Sequence, residues 1–167
     1  ADTIYAGTHE NKIKFGKGIN KEDLIVERCV NTDARGCDNL KISFRNSAGD
    51  SIMLADIIND NINAQEIQTF EFANGDNLNF GDIKKLSLIG TDKNDELRGY
   101  NDMDNVIEGK AGNDTLIGAN YYDGYGQKDG SYKNTFVFSK GDGADTIAGI
   151  NNEDLIKFKD VDKNEIK

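Results

Sequence analysis

The chain has 167 residues, a formal charge of −10 and 37% hydrophobic residues, which bounds it to one domain or two small ones with an economical core. Its acidity argues against nucleic acid and anionic membrane surfaces as partners, and no apolar run approaches the roughly eighteen residues of a membrane span. Gly, Asp and Asn supply 59 residues against 9 Glu, with no Pro or Trp; this is a composition for tight turns, in which a short carboxylate can reach an ion.

Residues 1–15 carry two short elements, Asp2/Ile4 and Asn11/Ile13, whose acid or amide precedes an apolar residue by two and which stand nine apart. The first residues lack the charged and apolar regions of a signal peptide, and a start at Ala1 reads as a processed or excised chain. His9 is the single histidine. It excludes most His-based catalysis and the usual zinc sites, and is expected to be a solvated turn residue.

Residues 16–86 form an interposed β-rich region. Leu24–Val30 and Cys37–Phe44 are expected to pair as a hairpin around Asp33, with Val26 opposite Leu40 and Leu24 opposite Ile42 so that one apolar face forms. That register sets Cys29 directly against Cys37, at a separation a disulfide can bridge with small adjustment. A strand at Ser51–Leu54 follows a Gly49-Asp50 turn, and Ile57–Gln68 is the one plausible short helix. Thr69–Phe72 and Asn77–Phe80 flank Asn74-Gly75, a strong hairpin signal.

Residues 87–158 repeat a mark, in which Asp or Asn, one residue and then an apolar residue recur. Asp95/Leu97, Asp104/Val106, Asp114/Leu116, Asp123/Tyr125, Asn134/Phe136, Asp145/Ile147 and Asp154/Ile156 fit, spaced 9, 10, 9, 11, 11 and 9 residues apart. Asn105 is the alternative marker to Asp104, because one residue is inserted there. Glycines precede many of the acids, as in Gly109-Lys110-Ala111-Gly112-Asn113-Asp114. A longer period encloses the short one. ADTI at Ala1–Ile4 returns at Ala144–Ile147 and IKF at Ile13–Phe15 returns at Ile156–Phe158, both with an offset of 143. Asn20–Leu24 matches Asp162–Ile166 after one deletion, so residues 159–167 read as the start of the next unit of a tandem array.

The short repeat resembles the GGxGxDxUx nonapeptide of the RTX (repeats-in-toxin, haemolysin-type calcium-binding) family. Gly109–Leu116 matches it closely except for Lys110 in place of the second Gly. FGKGI, EDL and FEFANG in residues 16–86 resemble the region that accompanies such repeats in haemolysin-type proteins. The resemblance implies an all-β fold, a calcium-stabilised parallel β-roll (β-helix) of 87–158 with an interposed antiparallel β-rich cap, residues 1–15 being the end of a preceding roll. Six residues make a turn with inward carbonyls, three make a strand, and two nonapeptides complete a coil. Turns two repeats apart then stack, with the loops 90–95, 109–114 and 129–134 on one edge and 99–104, 118–123 and 140–145 on the other. Residues 149–154 begin another coil on the first edge.

By the same resemblance, several calcium ions are held by turn carbonyls and sixth-position carboxylates. The implied ligands are Gly90, Asp92, Asn94 and Asp95; Gly99, Asn101 and Asp104; and Gly109, Ala111, Gly112, Asn113 and Asp114. Gly118, Asn120 and Asp123, then Asn134, then Gly141, Gly143 and Asp145, and Asp154 continue the series, with Asp2 and Asn11 at the front. The family is exported from bacteria by type I secretion and folds on meeting external calcium, an oxidising setting that permits the Cys29–Cys37 bond. HExxH, GxSxG and GxxxxGK[ST] are absent, so no enzyme activity is expected. Asp160–Asn164 fails as an EF-hand loop because Glu165 replaces the required Gly. The expected function is a non-enzymatic calcium-binding module of a larger secreted protein. The alternative is a ligand- or glycan-binding stalk segment of a large adhesin or toxin, with Tyr121, Tyr122, Tyr125 and Tyr132 facing a host-surface ligand.

Overall fold

The computed structural model describes residues 2–5, 11–28, 39–55, 57–58, 67–119 and 132–166. The chain is mostly β and divides into two compact units, Ala1–Ser87 and Leu88–Lys167. Among the described residues no helix is long and apolar enough to cross a membrane.

In the first unit, β1 (Asp2–Tyr5) and β2 (Asn11–Lys14) enter two different sheets. A single 3-10 turn at Lys21–Asp23 leads into β3 (Leu24–Arg28), followed by β4 (Leu40–Phe44) and β5 (Ser47–Ala55). These form the four-stranded sheet β1-β5-β4-β3, in which β1 lies parallel to β5 and the other pairs are antiparallel. The smaller sheet is β2-β6-β7, with β6 at Ile67–Glu71 parallel to β2 and β7 at Asn77–Asn79 antiparallel to β6. Leu24, Val26, Leu40, Ile42 and Leu54 fill one face, as period-2 alternation requires.

The hairpin at Asn74-Gly75 forms as expected, with Gly75 at φ +94°. Three other expectations are corrected. The β3–β4 register pairs Leu24 with Phe44, Val26 with Ile42 and Arg28 with Leu40, two residues along from the expected one. A slide of two keeps the same face inward, so burial cannot tell the registers apart. The observed one also sets Lys41 against Glu27, with Nζ 2.9 Å from Oε2. Cys29 and Cys37 lie outside the described residues, and the register that set them face to face is not the one formed. Second, the turn before β5 falls at Arg45–Asn46, while Gly49, at φ +97°, sits inside β5 where the pairing shifts. Third, Ile57 and Ile58 are buried without being helical, and Ile67–Gln68 open β6; the rest of the expected helix lies outside the described residues. Adjacent β-branched side chains lose χ1 freedom in a helix. The helix that does form is α1 (Phe80–Leu86). Asn79 Oδ1 accepts the Asp82 N–H at 2.9 Å and Asp82 Oδ2 accepts the Asn79 N–H at 3.1 Å, a reciprocal cap that ends β7 and starts the helix.

The second unit contains β8 (Glu96–Arg98), β9 (Asn105–Glu108), β10 (Thr115–Ile117), β11 (Asn134–Phe138), β12 (Thr146–Ala148) and β13 (Leu155–Phe158). Successive strands alternate between two parallel three-stranded sheets, β8-β10-β12 and β9-β11-β13. Each of β8 to β11 sends an apolar side chain inward, Leu97, Ile107, Leu116 and Phe136, and all four are buried. Their burial is worth about 1.5–3 kcal/mol each. The unit therefore tolerates changes at exposed strand positions better than at buried ones. Ile107 is fully buried and its neighbour Val106 is 58% exposed. Ile107→Ala should cost about 2–5 kcal/mol, and Val106→Ala within about 0.5 kcal/mol of nothing, in urea unfolding.

Candidate metal centre

The turns preceding β8, β10 and β12 stack directly. Gly112 N–H donates to the Asp142 carbonyl at 2.9 Å, and Thr115 and Thr146 N–H donate to the Asp95 and Asp114 carbonyls at 2.8 and 2.7 Å. The marker acids form a ladder through this stack. Asp114 Oδ1 accepts the Asp95 N–H at 2.8 Å, and Asp145 Oδ1 accepts the Asp114 N–H at 2.9 Å. Amides bracket the ladder: Asn94 Oδ1 accepts the Asn113 N–H at 2.9 Å, and Asn113 Oδ1 accepts the Ala144 N–H at 3.1 Å. Asp95 closes its own turn, its Oδ2 accepting the Thr91 N–H at 2.6 Å and the Thr91 hydroxyl at 2.8 Å.

The other oxygens of the ladder have no such partners. Asp114 Oδ2 and Asp145 Oδ2 are buried and accept no hydrogen bond. An unsatisfied buried charge of this kind costs several kcal/mol. Asp114 is 1% exposed. Its burial pushes the carboxyl above its ordinary value; the bond from the Asp95 N–H opposes this, and the charges of Asp145, Asp95 and Asp142 add to it.

Glycines keep this seam open. A Cβ on Gly109 would lie 2.2 Å from Asp114 Oδ2, and one on Gly90 would lie 2.2 Å from the Gly109 carbonyl oxygen. One on Gly143 would lie 1.7 Å from the Gly112 carbonyl oxygen, and one on Gly112 2.5 Å from that of Lys93. Gly112 and Gly143 also have φ of +140° and +105°, and Lys110 is held at +65° where the repeat pattern calls for glycine. Among the described residues no three His, Cys, Asp or Glu side chains converge on one point. What the seam offers instead is carbonyl oxygens from stacked turns plus single carboxylates, all of them oxygen. That set suits a hard cation such as calcium and does not suit zinc.

The second edge, formed by the turns leading to β9, β11 and β13, is built differently. Its markers are Asn105, Asn134 and Asp154. Asn105 Oδ1 accepts the Tyr100 N–H at 2.8 Å, while its Nδ2 donates to the Tyr100 and Met103 carbonyls at 3.0 Å and to Asn134 Oδ1 at 3.1 Å. Asn134 Oδ1 also accepts the Ala119 N–H at 2.9 Å. Asn134 Nδ2 reaches both oxygens of Asp154 at 3.0 and 3.1 Å. Here an amide N–H fills the place that stands open beside Asp114.

The markers therefore fall on different edges from those expected. Loop 140–145 stacks on 109–114, while the residues before Asn134 and loop 149–154 belong to the opposite edge. The chain passes from the β10 sheet to the β11 sheet between Ile117 and Asn134; the nonapeptide count placed a strand at Asp123/Tyr125 and so needed an even number of crossings there. Asn120, Asp123, Tyr121, Tyr122 and Tyr125 lie outside the described residues. On the β9 turn the marker is Asn105 and not Asp104. Asn105 is buried, whereas Asp104 is exposed and its Oδ1 accepts the Lys133 N–H at 3.0 Å.

Gly90, Gly99, Gly109 and Gly118 stand over the marker of their own turn, while Asp92 is exposed. Asp2 opens β1 opposite Ile52 and Asn11 opens β2 opposite Ile67, so neither has a stacked acid as strand partner. Two residues not anticipated belong to the first edge. Thr91 caps Asp95, and Asp142, buried between two glycines, accepts the Ser139 N–H at 2.6 Å. The Gly-Asp-Gly triplet at 141–143 was the available signal for Asp142. Comparison with known protein families and with curated proteins finds no match for this chain.

Two substitutions separate the edges. A carboxyl whose folded pKa is raised destabilises the fold above that pKa, and the penalty fades as pH falls to the ordinary value of 3.8. Asp114→Asn should therefore raise the melting temperature in chelator at pH 7, with no difference from the parent chain near pH 3. Asn134→Asp should do the reverse, replacing a donor with a second carboxylate against Asp154 and costing about 3 kcal/mol in chelator. Thermal melts of the two variants across pH check both signs.

Proposed function

We propose that this chain is a non-enzymatic, calcium-binding RTX-type module of a larger secreted bacterial protein, and that calcium completes the fold of its second unit. The observation that carries the reading is the pair of buried carboxylate oxygens, Asp114 Oδ2 and Asp145 Oδ2, without a donor in a seam held open by glycines. The alternation of short parallel strands between two sheets supports the β-roll reading of residues 87–158. The residues that would hold the ion are Asp114 and Asp145 with carbonyls of the adjoining turns, among them those of Lys93, Gly109 and Gly112. Bound calcium would supply positive charge and six to eight oxygen-coordination positions to a seam crowded with like charge.

This chain's own part is to present those oxygens and keep them apart until then. The ladder bonds from Asp95 and Asp114 N–H orient one oxygen of each acid, leaving the other for a cation. With a formal charge of −10, the chain repels itself while calcium is scarce. Because the open chain has no preformed site, the binding free energy becomes folding free energy. That coupling suits export through the type I secretion machinery as an unfolded chain, followed by folding outside. On this reading calcium is required on the first edge and dispensable on the second, where Asn105 and Asn134 satisfy the turns.

Far-UV circular dichroism tests the proposal. The second unit should lose β-signal at a lower temperature in excess chelator than in millimolar calcium, and magnesium should fail to close the gap because it demands tighter octahedral geometry. Asp114→Asn should abolish most of the calcium-dependent gain in melting temperature. An unchanged melt in chelator and calcium would overturn the reading.

A further inference from the structure

The long repeat places one sequence in two environments, and the two differ in burial. IKF at Ile13–Phe15 lies in the first unit with Ile13 8% and Phe15 6% exposed; the same residues at Ile156–Phe158 leave Ile156 45% and Phe158 41% exposed. Leu24 is 3% exposed, and its counterpart Ile166 is 54% exposed. The local fold is repeated along with the sequence. Asp23 Oδ2 accepts the Asn20 N–H at 2.9 Å, and Glu165 Oε2 accepts the Asp162 N–H at 2.8 Å. The backbone bonds Asp23 N–H to Asn20 carbonyl and Glu165 N–H to Asp162 carbonyl close the two turns alike.

What covers the first copy is known in detail. β1 pairs in parallel with β5, Ile4 opposite Leu54, and β2 pairs in parallel with β6, Ile13 opposite Phe70 and Lys14 opposite Glu71. Phe15 donates its N–H to the Glu71 carbonyl at 2.8 Å and packs its ring 4.9 Å from Phe72 and 5.9 Å from Phe44. Lys14 Nζ lies 2.9 Å from Glu71 Oε2. The counterparts β12 and β13 are outer strands of their sheets, with apolar side chains and backbone groups laid out for the same partners.

We propose that β12 and β13 form a docking edge for a second copy of segment 24–86, carried on the same polypeptide in tandem. Ile147 then meets the second copy's Leu54, Ile156 its Phe70, Lys157 its Glu71, and Phe158 its Phe44 and Phe72. Leu155 stands where the first copy has Lys12, which reaches Glu71 at 2.8 Å, so Lys157 alone supplies the cation at this junction. The residues that end one unit thus begin the next, and each covered edge removes an aggregation-prone strand from solvent. This inference is independent of calcium; it rests on the repeat and on the burial difference.

The test is a tandem protein in which a second copy of residues 24–86 follows Glu165, its Leu24 taking the place of Ile166. Hydrogen exchange is compared with the present chain and with a control carrying a scrambled segment of the same composition, all in millimolar calcium. Exchange at residues 155–158 should slow at least about tenfold with the true segment alone. Lys157→Glu should reduce that slowing by about threefold, and Glu71→Lys in the second copy should restore it. Unchanged exchange at 155–158, equal slowing by the scrambled segment, or failure of the charge swap to rescue would each overturn the docking.

Discussion

The second unit depends on one hydrogen bond repeated from turn to turn. A marker side chain accepts the backbone N–H of the marker two turns before it, as Asp114 does for Asp95 and Asp145 for Asp114. Parallel strands three to five residues long have little apolar area with which to hold their order. The ladder bonds fix the stacking, and each requires an acceptor inside the protein where water cannot substitute. Only a short side chain in a turn with glycine above it can take that place, which accounts for the spacing of Asp, Asn and Gly together.

The requirement has two chemical solutions, one on each edge. An amide accepts with its oxygen and donates with its nitrogen, so Asn134 bonds Ala119 with one end and Asp154 with the other. That edge is internally neutral at its centre. A carboxylate accepts twice and donates nothing, so the edge of Asp95, Asp114 and Asp145 satisfies the backbone and leaves charge and lone pairs over. Those spare lone pairs are what the proposed cation would occupy. The same backbone geometry thus carries two chemistries, and at the centre of each edge the difference between Asp114 and Asn134 is a single atom.

In the first unit β1 lies parallel on β5 and β2 on β6, and the antiparallel strands β4, β3 and β7 complete those sheets. Antiparallel pairs need only short turns, so the sheets can be widened within a few tens of residues. Phe15, Phe44 and Phe72 pack together at this transition.

Much of this was written in local pattern. The Asp-x-apolar spacing located β8 to β13, because apolar side chains and turn residues alternate at short range. Asn74-Gly75 announced its hairpin, since a positive φ there admits few residues. The acid ladder was legible as a row of markers, and the repeat of ADTI and IKF was visible by eye. What the sequence could not settle were choices that leave local pattern unchanged. A two-residue slide of β3 against β4 preserves the inward face, so Lys41, Glu27 and Phe44 decided it through contacts across strands. The number of crossings between Ile117 and Asn134 reassigned every later turn to the opposite edge, because edge is a matter of parity summed along the chain. Asn105 displaced Asp104 because position under the preceding turn, not charge, selects the marker. Residue types and spacing determined that turns would stack and that acids would line them; only the tertiary pairing decided which acids share an edge, since that depends on strands far apart in sequence meeting in one register.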